Sequence, residues 1–322
     1  MNDPTDIPVN VNDMIFWIAD YRRVTNKSWS KLSTLSLIPP STLQAFGTGK
    51  YTGDAMAIAK KVFAFKQKLE SQAQRSDTLL AKPDFVETPT ANNVLTLLHL
   101  AQMGRITIGA MCPGSSKTYA AEYFKKCMGG TVWLITCRET TGRTIDMIRL
   151  VMKAMRLRPV GRSKAEWSAQ IMEHIRGTGG LLIVDEANHM LLEAIEELRA
   201  WHDETEIGIC FLGNERLEEI FRGARGHQYA RLMSRTARFL VQDHLVEQDV
   251  EMFLDAVKID DPRSRSLLVK VGTARGGGGL REVQQILESA HIAAIGQDVA
   301  LEYEHIEAAK KSRVTHVLRW AA

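Results

Sequence analysis

The feature that most constrains this chain is a short segment in which an apolar run, a loop of small residues and a Lys-Thr pair follow one another. Residues 106–118 read I-T-I-G-A-M-C-P-G-S-S-K-T, and a helical pattern continues after Thr118. A strand, a small-residue loop, Lys-Thr and a helix form the layout of a phosphate-binding P-loop. Backbone N–H groups and the helix N-terminus then face phosphate oxygens. We expect Lys117 to reach the β- and γ-phosphates of ATP and Thr118 to hold Mg²⁺.

Two positions of this loop depart from the P-loop pattern G-x-x-x-x-G-K-[ST]. Met111 stands in place of the first glycine and Ser116 in place of the second. A side chain at position 116 puts a Cβ where the backbone should approach phosphate closely. Taken alone, the loop is equally typical of an ordinary strand–turn–helix connection with an exposed lysine. The residues expected to bind phosphate are Pro113, Gly114, Ser115, Ser116, Lys117 and Thr118.

A second segment strengthens the nucleotide interpretation. Residues 181–188 read L-L-I-V-D-E-A-N, a buried-strand pattern that ends in two carboxylates, as a Walker B strand does. Asp185 is expected to hold Mg²⁺, and Glu186 to orient and polarise the attacking water. An acidic helix start after a strand is the alternative. Because both segments occur in this order, a nucleotide-binding fold is favoured.

The composition is that of a soluble globular protein without a strongly basic overall charge. The 322 residues are enough for about two or three domains, and the formal net charge is +3. Any nucleic-acid surface must therefore come from local basic patches. The four cysteines form no C-x-x-C pair, so neither a zinc site nor a disulfide framework is indicated. The sequence carries no signal-peptide pattern and no apolar run of membrane-spanning length, which predicts a cytoplasmic protein with no membrane partner.

Changes in pattern divide the chain into segments. Residues 1–72 carry four short helical patterns, in which Ser41 and Asp54 are expected to cap the third and fourth helices. Helix, tight turn and helix are typical of a helix-turn-helix DNA-binding domain, although a four-helix protein-interaction domain fits as well. The remaining segments are a predicted linker at 73–90, an ATPase core at 91–245, and a helical lid with a basic C-terminal segment at 246–322.

Apolar strand patterns alternate with helical ones in the core segment, which predicts an α/β fold with a mostly parallel sheet. Asn214 follows the fourth predicted strand, where it can sense the γ-phosphate or serve only as a turn residue. Residues 230–238 read A-R-L-M-S-R-T-A-R and predict a basic helix. One of its arginines could reach a neighbouring subunit's nucleotide, or the basic side could face solvent or DNA. Arg281 follows a four-glycine run and could contact the γ-phosphate from a lid.

Taken together, these motifs resemble the phage Mu transposition protein B family, whose members are AAA+ ATPases that capture target DNA. The resemblance covers nearly the whole chain and is densest from residue 85 to residue 238. The matching pieces are F-V-E-T (85–88), P-G-S-S-K-T (113–118), A-A-E-Y (120–123), V-W-L-I-T (132–136), L-L-I-V-D-E-A-N-H (181–189), E-E-L-R (196–199), I-G-I-C-F-L-G-N-E-R (207–216) and A-R-L-M-S-R (230–235).

The resemblance implies an AAA+ ATPase core between an N-terminal helix-turn-helix domain and a C-terminal helical lid. It also implies a protein of the bacterial host cytoplasm that binds double-stranded DNA without sequence preference. Such proteins assemble as filaments or ring-like oligomers and deliver the DNA to a DDE transposase, which stimulates hydrolysis. By motif, Asn214 becomes sensor 1, Arg235 the arginine finger and Arg281 sensor 2. The family's basic DNA-contacting stretch falls on Arg156, Arg158, Arg162 and Lys164.

Two alternatives stay open on the sequence. The replaced glycines are compatible with a nucleotide-insensitive DNA-binding adaptor, in which the loop is only scaffold. A helicase-loader-like AAA+ protein would have much the same core, and its partner would distinguish it.

Overall fold

The fold was obtained as a computed structural model, which describes residues 9–78, 83, 85–223 and 226–313, with the backbone only at 71–78. The chain divides into two compact units, Met1–Leu79 and Leu80–Ala322. No helix in the described ranges is long and apolar enough to cross a membrane. The part of the predicted basic C-terminal segment from residue 314 onward lies outside the described residues.

The N-terminal unit consists of four helices around a small apolar core. They are α1 (Val11–Thr25), α2 (Trp29–Ser36), α3 (Pro40–Gly47) and α4 (Ala55–Thr78). Asp54 caps α4 as predicted, since its carboxylate accepts the N–H of Ala57 at 3.0 Å. The predicted cap at Ser41 is wrong, because α3 begins at Pro40 and Ser41 lies inside it. A proline fits the first helical position, where its fixed φ is already suitable.

The predicted linker at 73–90 is shorter than expected at both ends. Helix α4 continues to Thr78, and residues 73–78 contain neither the proline nor the glycine that would stop it. On the other side, Thr88 caps the next helix by accepting the N–H of Ala91 at 3.2 Å, and Pro89 occupies its first position. The Thr-Pro signal at residues 88–89 therefore marks the start of α5.

The second unit alternates strands and helices and ends in four helices. Its elements are α5 (Pro89–Gln102), β1 (Ile106–Met111), α6 (Lys117–Met128), β2 (Val132–Thr136), α7 (Thr144–Ala154), α8 (Lys164–Ile175), β3 (Leu181–Asp185), α9 (Leu192–Thr205), β4 (Gly208–Gly213), α10 (Glu215–Arg222), α11 (Ala230–Met233), β5 (Thr236–Gln242), α12 (Glu247–Ala256), α13 (Pro262–Gly272), α14 (Gly279–Gly296) and α15 (Tyr303–Lys311).

The five strands form one parallel sheet in the order β2-β3-β4-β1-β5. Every residue of β1, β3 and β4 is buried, as expected for central strands covered by helices on both faces. Alternation along β3 sends Leu182 and Val184 into one apolar core and Leu181 and Ile183 into the other. The carboxyl ends of β1, β3 and β4 share one edge, which brings the loops after them together. The predicted α/β fold is confirmed.

The predicted basic helix at 230–238 is wrong. Helix α11 ends at Met233, and residues from Thr236 form β5, which pairs in parallel with β1 at the sheet edge. Phe239 and Val241 favour a strand, and the exposed Arg238 suits an edge position. Arg231 therefore lies on α11, Arg238 lies on β5, and Arg235 lies in the connection between them.

Helices α12 to α15 pack around a core of their own, which includes Val250, Leu254, Leu268 and Ile286. Cys112 of the loop after β1 also belongs to this cluster. The C-terminal helices therefore contact the loop that carries the P-loop pattern.

Candidate nucleotide-binding site

The loop between β1 and α6 has the backbone shape of a P-loop despite its two departures in sequence. Gly114 has φ +71°, in the left-handed region. Ser116 also adopts left-handed values, with φ 62° and ψ 17°, and immediately precedes α6. A non-glycine residue in this conformation is strained, since its Cβ crowds the backbone. The serine therefore occupies the conformation that the missing glycine would adopt without strain.

The other departure, Met111, lies in a different environment. It is the last residue of β1, pairs with Gln242 of β5 and is fully buried. Its side chain packs in the core that includes Leu97 and Phe124. Met111 is therefore a residue of the core and not of the phosphate loop.

Lys117 turns its ammonium group toward the loop itself. Its Nζ donates to the carbonyl oxygens of Met111 and Cys112, each at 2.9 Å, and lies 3.3 Å from Ser115 Oγ. The residue is only 8% exposed, and this burial lowers the pKa of its side chain; the charge of Arg281 lowers it further. A charged donor held among oxygen acceptors is suited to phosphate oxygens, which would take the place of these carbonyls.

Thr118, in the first turn of α6, and Asp185, the last residue of β3, come together. The hydroxyl of Thr118 donates to Asp185 Oδ2 at 2.7 Å. Burial raises the pKa of Asp185, and the hydrogen bond from Thr118 opposes that shift. Hydroxyl and carboxylate oxygens are the ligands that Mg²⁺ prefers, so the pair fits this ion. Among the described residues, no group of three or more His, Cys, Asp and Glu side chains is placed to hold a metal ion.

Glu186, which follows β3, and Asn214, which follows β4, line one cavity together with the P-loop. Glu186 has a left-handed backbone with φ 54°, a strained conformation of the kind found at functional sites. Asn214 caps α10 by accepting the N–H of Arg216 at 3.1 Å. Its own N–H donates to Asn188 Oδ1 at 3.2 Å. Asn188, which the sequence did not single out, thus connects the turn after β3 to the end of β4.

Residues 113–118, Glu186 and Asn214 border a cavity of about 570 Å³, within the usual range for a small-molecule site. Its polar end consists of the P-loop and Glu186. Phe85 and Val86, which precede α5, and Phe253 of α12 add apolar surface. Arg281 and Gln284 reach the cavity from α14. The cavity therefore combines phosphate-binding groups with an apolar wall of the kind that a nucleoside requires.

The start of α14 lies directly on the P-loop. The N–H of Leu280 donates to the carbonyl oxygen of Gly114 at 3.1 Å. A Cβ on Gly114 would lie 1.9 Å from the carbonyl oxygen of Gly278. This close approach brings Arg281 to the cavity, and it requires glycine at position 114.

Arg235 does not reach the cavity of its own chain. Its Nε donates to Asp203 at 2.7 Å, and Asp203 also pairs with Arg199. The side chain of Arg235 is 43% exposed, so a neighbouring molecule can still contact it.

Three of the four basic residues predicted to contact DNA lie in the exposed connection between α7 and α8, and the fourth, Lys164, is the exposed first residue of α8. Gln170 holds this connection by donating to the carbonyl oxygen of Arg158 at 2.9 Å and accepting the N–H of Val160 at 3.1 Å. Glu166 accepts the backbone N–H of Arg162 at 2.8 Å. None of the four side chains pairs with an acidic group among the described residues. They are Arg156, Arg158, Arg162 and Lys164.

Two known families match adjoining parts of the chain. Residues 108–221 match the family described as AAA domain, and residues 234–312 match the one described as Mu B transposition protein, C terminal. The first match contains the P-loop, strand β3 with Asp185, and strand β4, which Asn214 follows. The second contains β5 and all four C-terminal helices.

Relatives extend the similarity to most of the chain. The Mu-like prophage FluMu DNA transposition protein B of Haemophilus influenzae is 30% identical over 247 residues, 76% of this chain and 84% of that protein. The ATP-dependent target DNA activator B of Escherichia phage Mu is 26% identical over 304 residues, 94% of this chain and 95% of its own length.

Solved structures support the fold. The Cdc6p protein of Pyrobaculum aerophilum superposes with a TM-score of 0.57 at 15% identity, covering 76% of this chain and 74% of that one. The ORC2 protein of Aeropyrum pernix gives 0.52 at 17% identity, with 72% and 70% covered. Together with the AAA domain match, these likenesses identify the α/β fold as that of the AAA+ proteins.

Proposed function

The chain belongs to the Mu B family of transposition proteins, and on that premise we propose that it is an ATPase that binds DNA in an ATP-dependent manner and activates it as a transposition target. The observation that carries this proposal is the Thr118–Asp185 hydrogen bond, which joins the P-loop to the acidic end of β3 beside a cavity of nucleotide size. The names of the relatives, ATP-dependent target DNA activator and DNA transposition protein, support the role.

The residues of the cavity have complementary tasks in this proposal. Lys117 and the N–H groups at the start of α6 bind phosphate oxygens, and Arg281 adds positive charge from α14. Thr118 and Asp185 hold Mg²⁺, which neutralises phosphate charge when bound. The apolar wall formed by Phe85, Val86 and Phe253 shields the base from water.

In this proposal, ATP hydrolysis depends on Glu186, which follows β3, and on Asn214, which follows β4. Glu186 lines the cavity next to the Mg²⁺-binding pair and accepts the proton of a water molecule as general base. Asn214 lines the same cavity, its backbone N–H is held by Asn188, and its side chain orients that water or the γ-phosphate. A slow, DNA-stimulated ATPase is the activity that we propose.

DNA binding is proposed to rest on phosphate contacts without a base code. The exposed basic side chains from Arg156 to Lys164, which pair with no acidic group in the part of the chain that the structure describes, supply such contacts. The helix-turn-helix reading of α2 and α3 offers a second DNA-binding element, which remains a prediction.

Assembly is proposed to complete the site. Arg235 points away from its own cavity yet is accessible, so in an oligomer or filament it can serve a neighbouring subunit as an arginine finger. The assembled protein would present double-stranded DNA to a DDE transposase in the host cytoplasm, and that contact would stimulate hydrolysis.

The test is ATP-dependent assembly on double-stranded DNA, followed by electron microscopy and sedimentation with ATP, with ADP and without nucleotide. Lys117→Ala is expected to abolish ATP-dependent assembly. Lys125→Ala removes an exposed lysine from the same helix and serves as the matched control. Normal coating of DNA by Lys117→Ala would overturn the proposal and favour a nucleotide-insensitive adaptor. Recovery of a helicase instead of a transposase in a pull-down would favour a helicase loader.

A further inference from the structure

Asp249 is a fully buried carboxylate that lies outside the phosphate-binding loop. Its Oδ1 accepts the backbone N–H of Thr90 at 2.8 Å, and its Oδ2 accepts the hydroxyl of Thr90 at 2.6 Å. Oδ2 also accepts the N–H of Val246 at 3.0 Å. No lysine or arginine in the described part of the chain pairs with it. Both oxygens of its side chain therefore accept hydrogen bonds from neutral donors.

These donors are the N-termini of two different helices. Thr90 lies in the first turn of α5, and Val246 is the residue that caps α12. The N-terminus of a helix carries partial positive charge, so one carboxylate serves two helices at once. Gln242, at the end of β5, donates to Thr90 Oγ1 at 2.6 Å and to the carbonyl oxygen of His244 at 3.0 Å. The network therefore joins α5, the end of β5 and α12.

Both helices lead to the apolar wall of the cavity. Phe85 and Val86 lie just before α5, and Phe253 lies one turn after Asp249 on α12. The remaining C-terminal helices, which bring Arg281 to the P-loop, pack on α12. A change in the angle between α5 and α12 would thus move the two sides of the wall apart.

We propose that Asp249 is a positioning residue that fixes the C-terminal helices against the ATPase core and thereby sets the affinity for ATP. This inference rests on the proposed function of the cavity. An apolar side chain at position 249 could fill the same space without the cost of burying a carboxylate, which is unfavourable unless all its acceptors are satisfied. Directional hydrogen bonds, unlike apolar packing, determine how the two helix ends are oriented.

The test compares Thr90→Val with Thr90→Ser. Valine keeps the shape and loses the hydroxyl, whereas serine keeps both donors of Thr90. Calorimetric titration with Mg·ATP is expected to show about tenfold weaker binding for Thr90→Val, equivalent to roughly 1.4 kcal/mol, and a change within about twofold for Thr90→Ser. The melting temperature without nucleotide is measured in parallel.

A double-mutant cycle with Phe253→Ala separates positioning from stability. If Asp249 acts through α12, Phe253→Ala weakens ATP binding in the wild-type background and has much less effect beside Thr90→Val. Additive effects, or an unchanged affinity in Thr90→Val, would overturn the inference. Should Thr90→Val not fold, Gln242→Met, which removes the donor to Thr90, decides by the same criteria. A wild-type protein that binds no ATP would instead contradict the proposed function.

Discussion

The hydroxyl of Thr118 on α6 and the carboxylate of Asp185 at the end of β3 lie 2.7 Å apart, although β4 separates β3 from β1, the strand that precedes α6. In the free protein each group is the other's partner. Burial raises the pKa of Asp185, which means that the folded chain holds its ionised form at a disadvantage. The pair is therefore suited to the Mg²⁺ ion that we propose it holds.

Asp185→Asn is expected to stabilise the free protein while abolishing Mg²⁺-dependent stabilisation by ATP. A folded pKa raised above 3.8 means that protonation favours the folded state, so ionised Asp185 destabilises it near neutral pH. Removing the charge should add roughly 1 kcal/mol, or about 2–4 °C in melting temperature. The difference between wild type and variant should shrink as the pH falls through the raised pKa. A variant less stable than wild type at neutral pH contradicts this account.

The two substitutions toward the P-loop pattern should have opposite effects. Ser116→Gly relieves a left-handed serine and should stabilise the protein by roughly 0.5–1 kcal/mol, with tighter ATP binding. Met111→Gly empties part of a core and should destabilise it by about 2–5 kcal/mol. Denaturant unfolding and ATP titration check both. Equal effects of the two would show that Met111 is not a residue of the core.

Glu186→Gln should separate binding from turnover. The amide cannot accept a proton from water, so steady-state hydrolysis with DNA should fall by about 10²–10⁴-fold while ATP affinity changes little. Complexes on DNA formed with ATP should then dissociate more slowly than those of the wild type. Glu193→Gln, an exposed position on α9, is the matched control. Undiminished hydrolysis by Glu186→Gln would exclude Glu186 as the base.

ATP affinity should decline with rising pH in the alkaline range. Burial lowers the pKa of Lys117 below its ordinary 10.5 in the free protein, and phosphate would favour the protonated ammonium. Binding therefore takes up a proton, and the affinity should fall by up to about tenfold per pH unit above the lowered pKa. Calorimetry in buffers of different ionisation enthalpy measures this uptake. Binding with no proton uptake up to pH 10.5 would refute it.

Replacing Arg156, Arg158, Arg162 and Lys164 with alanine should weaken DNA binding and its dependence on salt. Each lost phosphate contact lowers the slope of log K against log salt by about 0.9, so the slope should fall by roughly 3–4. The double variant Lys125→Ala, Lys126→Ala alters exposed charges on α6 and should change the slope little. An unaltered slope in the fourfold variant would place the DNA elsewhere.

The sequence predicted the parts of the structure that leave a local pattern. The buried runs of β1, β3 and β4 and the cap at Asp54 follow from neighbouring residues, and all four were found where expected. Strand β5 was missed because its arginines resemble a basic helix surface, and only pairing with β1 fixes it as a strand.

The contacts that organise the site were beyond sequence reasoning for a physical reason. Thr90 and Asp249 are 159 positions apart, and their hydrogen bond leaves no spacing signal in either segment. The same holds for the carbonyl oxygen of Gly114, which receives the N–H of Leu280. Asn188 stood inside a quoted motif, yet its link to Asn214 depends on two strands being neighbours.

The buried charges of the candidate site also bear on how long the protein survives in a cell. Burial makes the ionised forms of Lys117 and Asp185 less favourable in the folded chain. Whatever binds the folded chain alone shifts its folding equilibrium by mass action, so nucleotide supply sets the fraction of molecules that open. Opened molecules are the ones that proteases remove. If the chain binds ATP as we propose, a shortage of ATP would thus lower the protein's abundance as well as its proposed assembly on DNA.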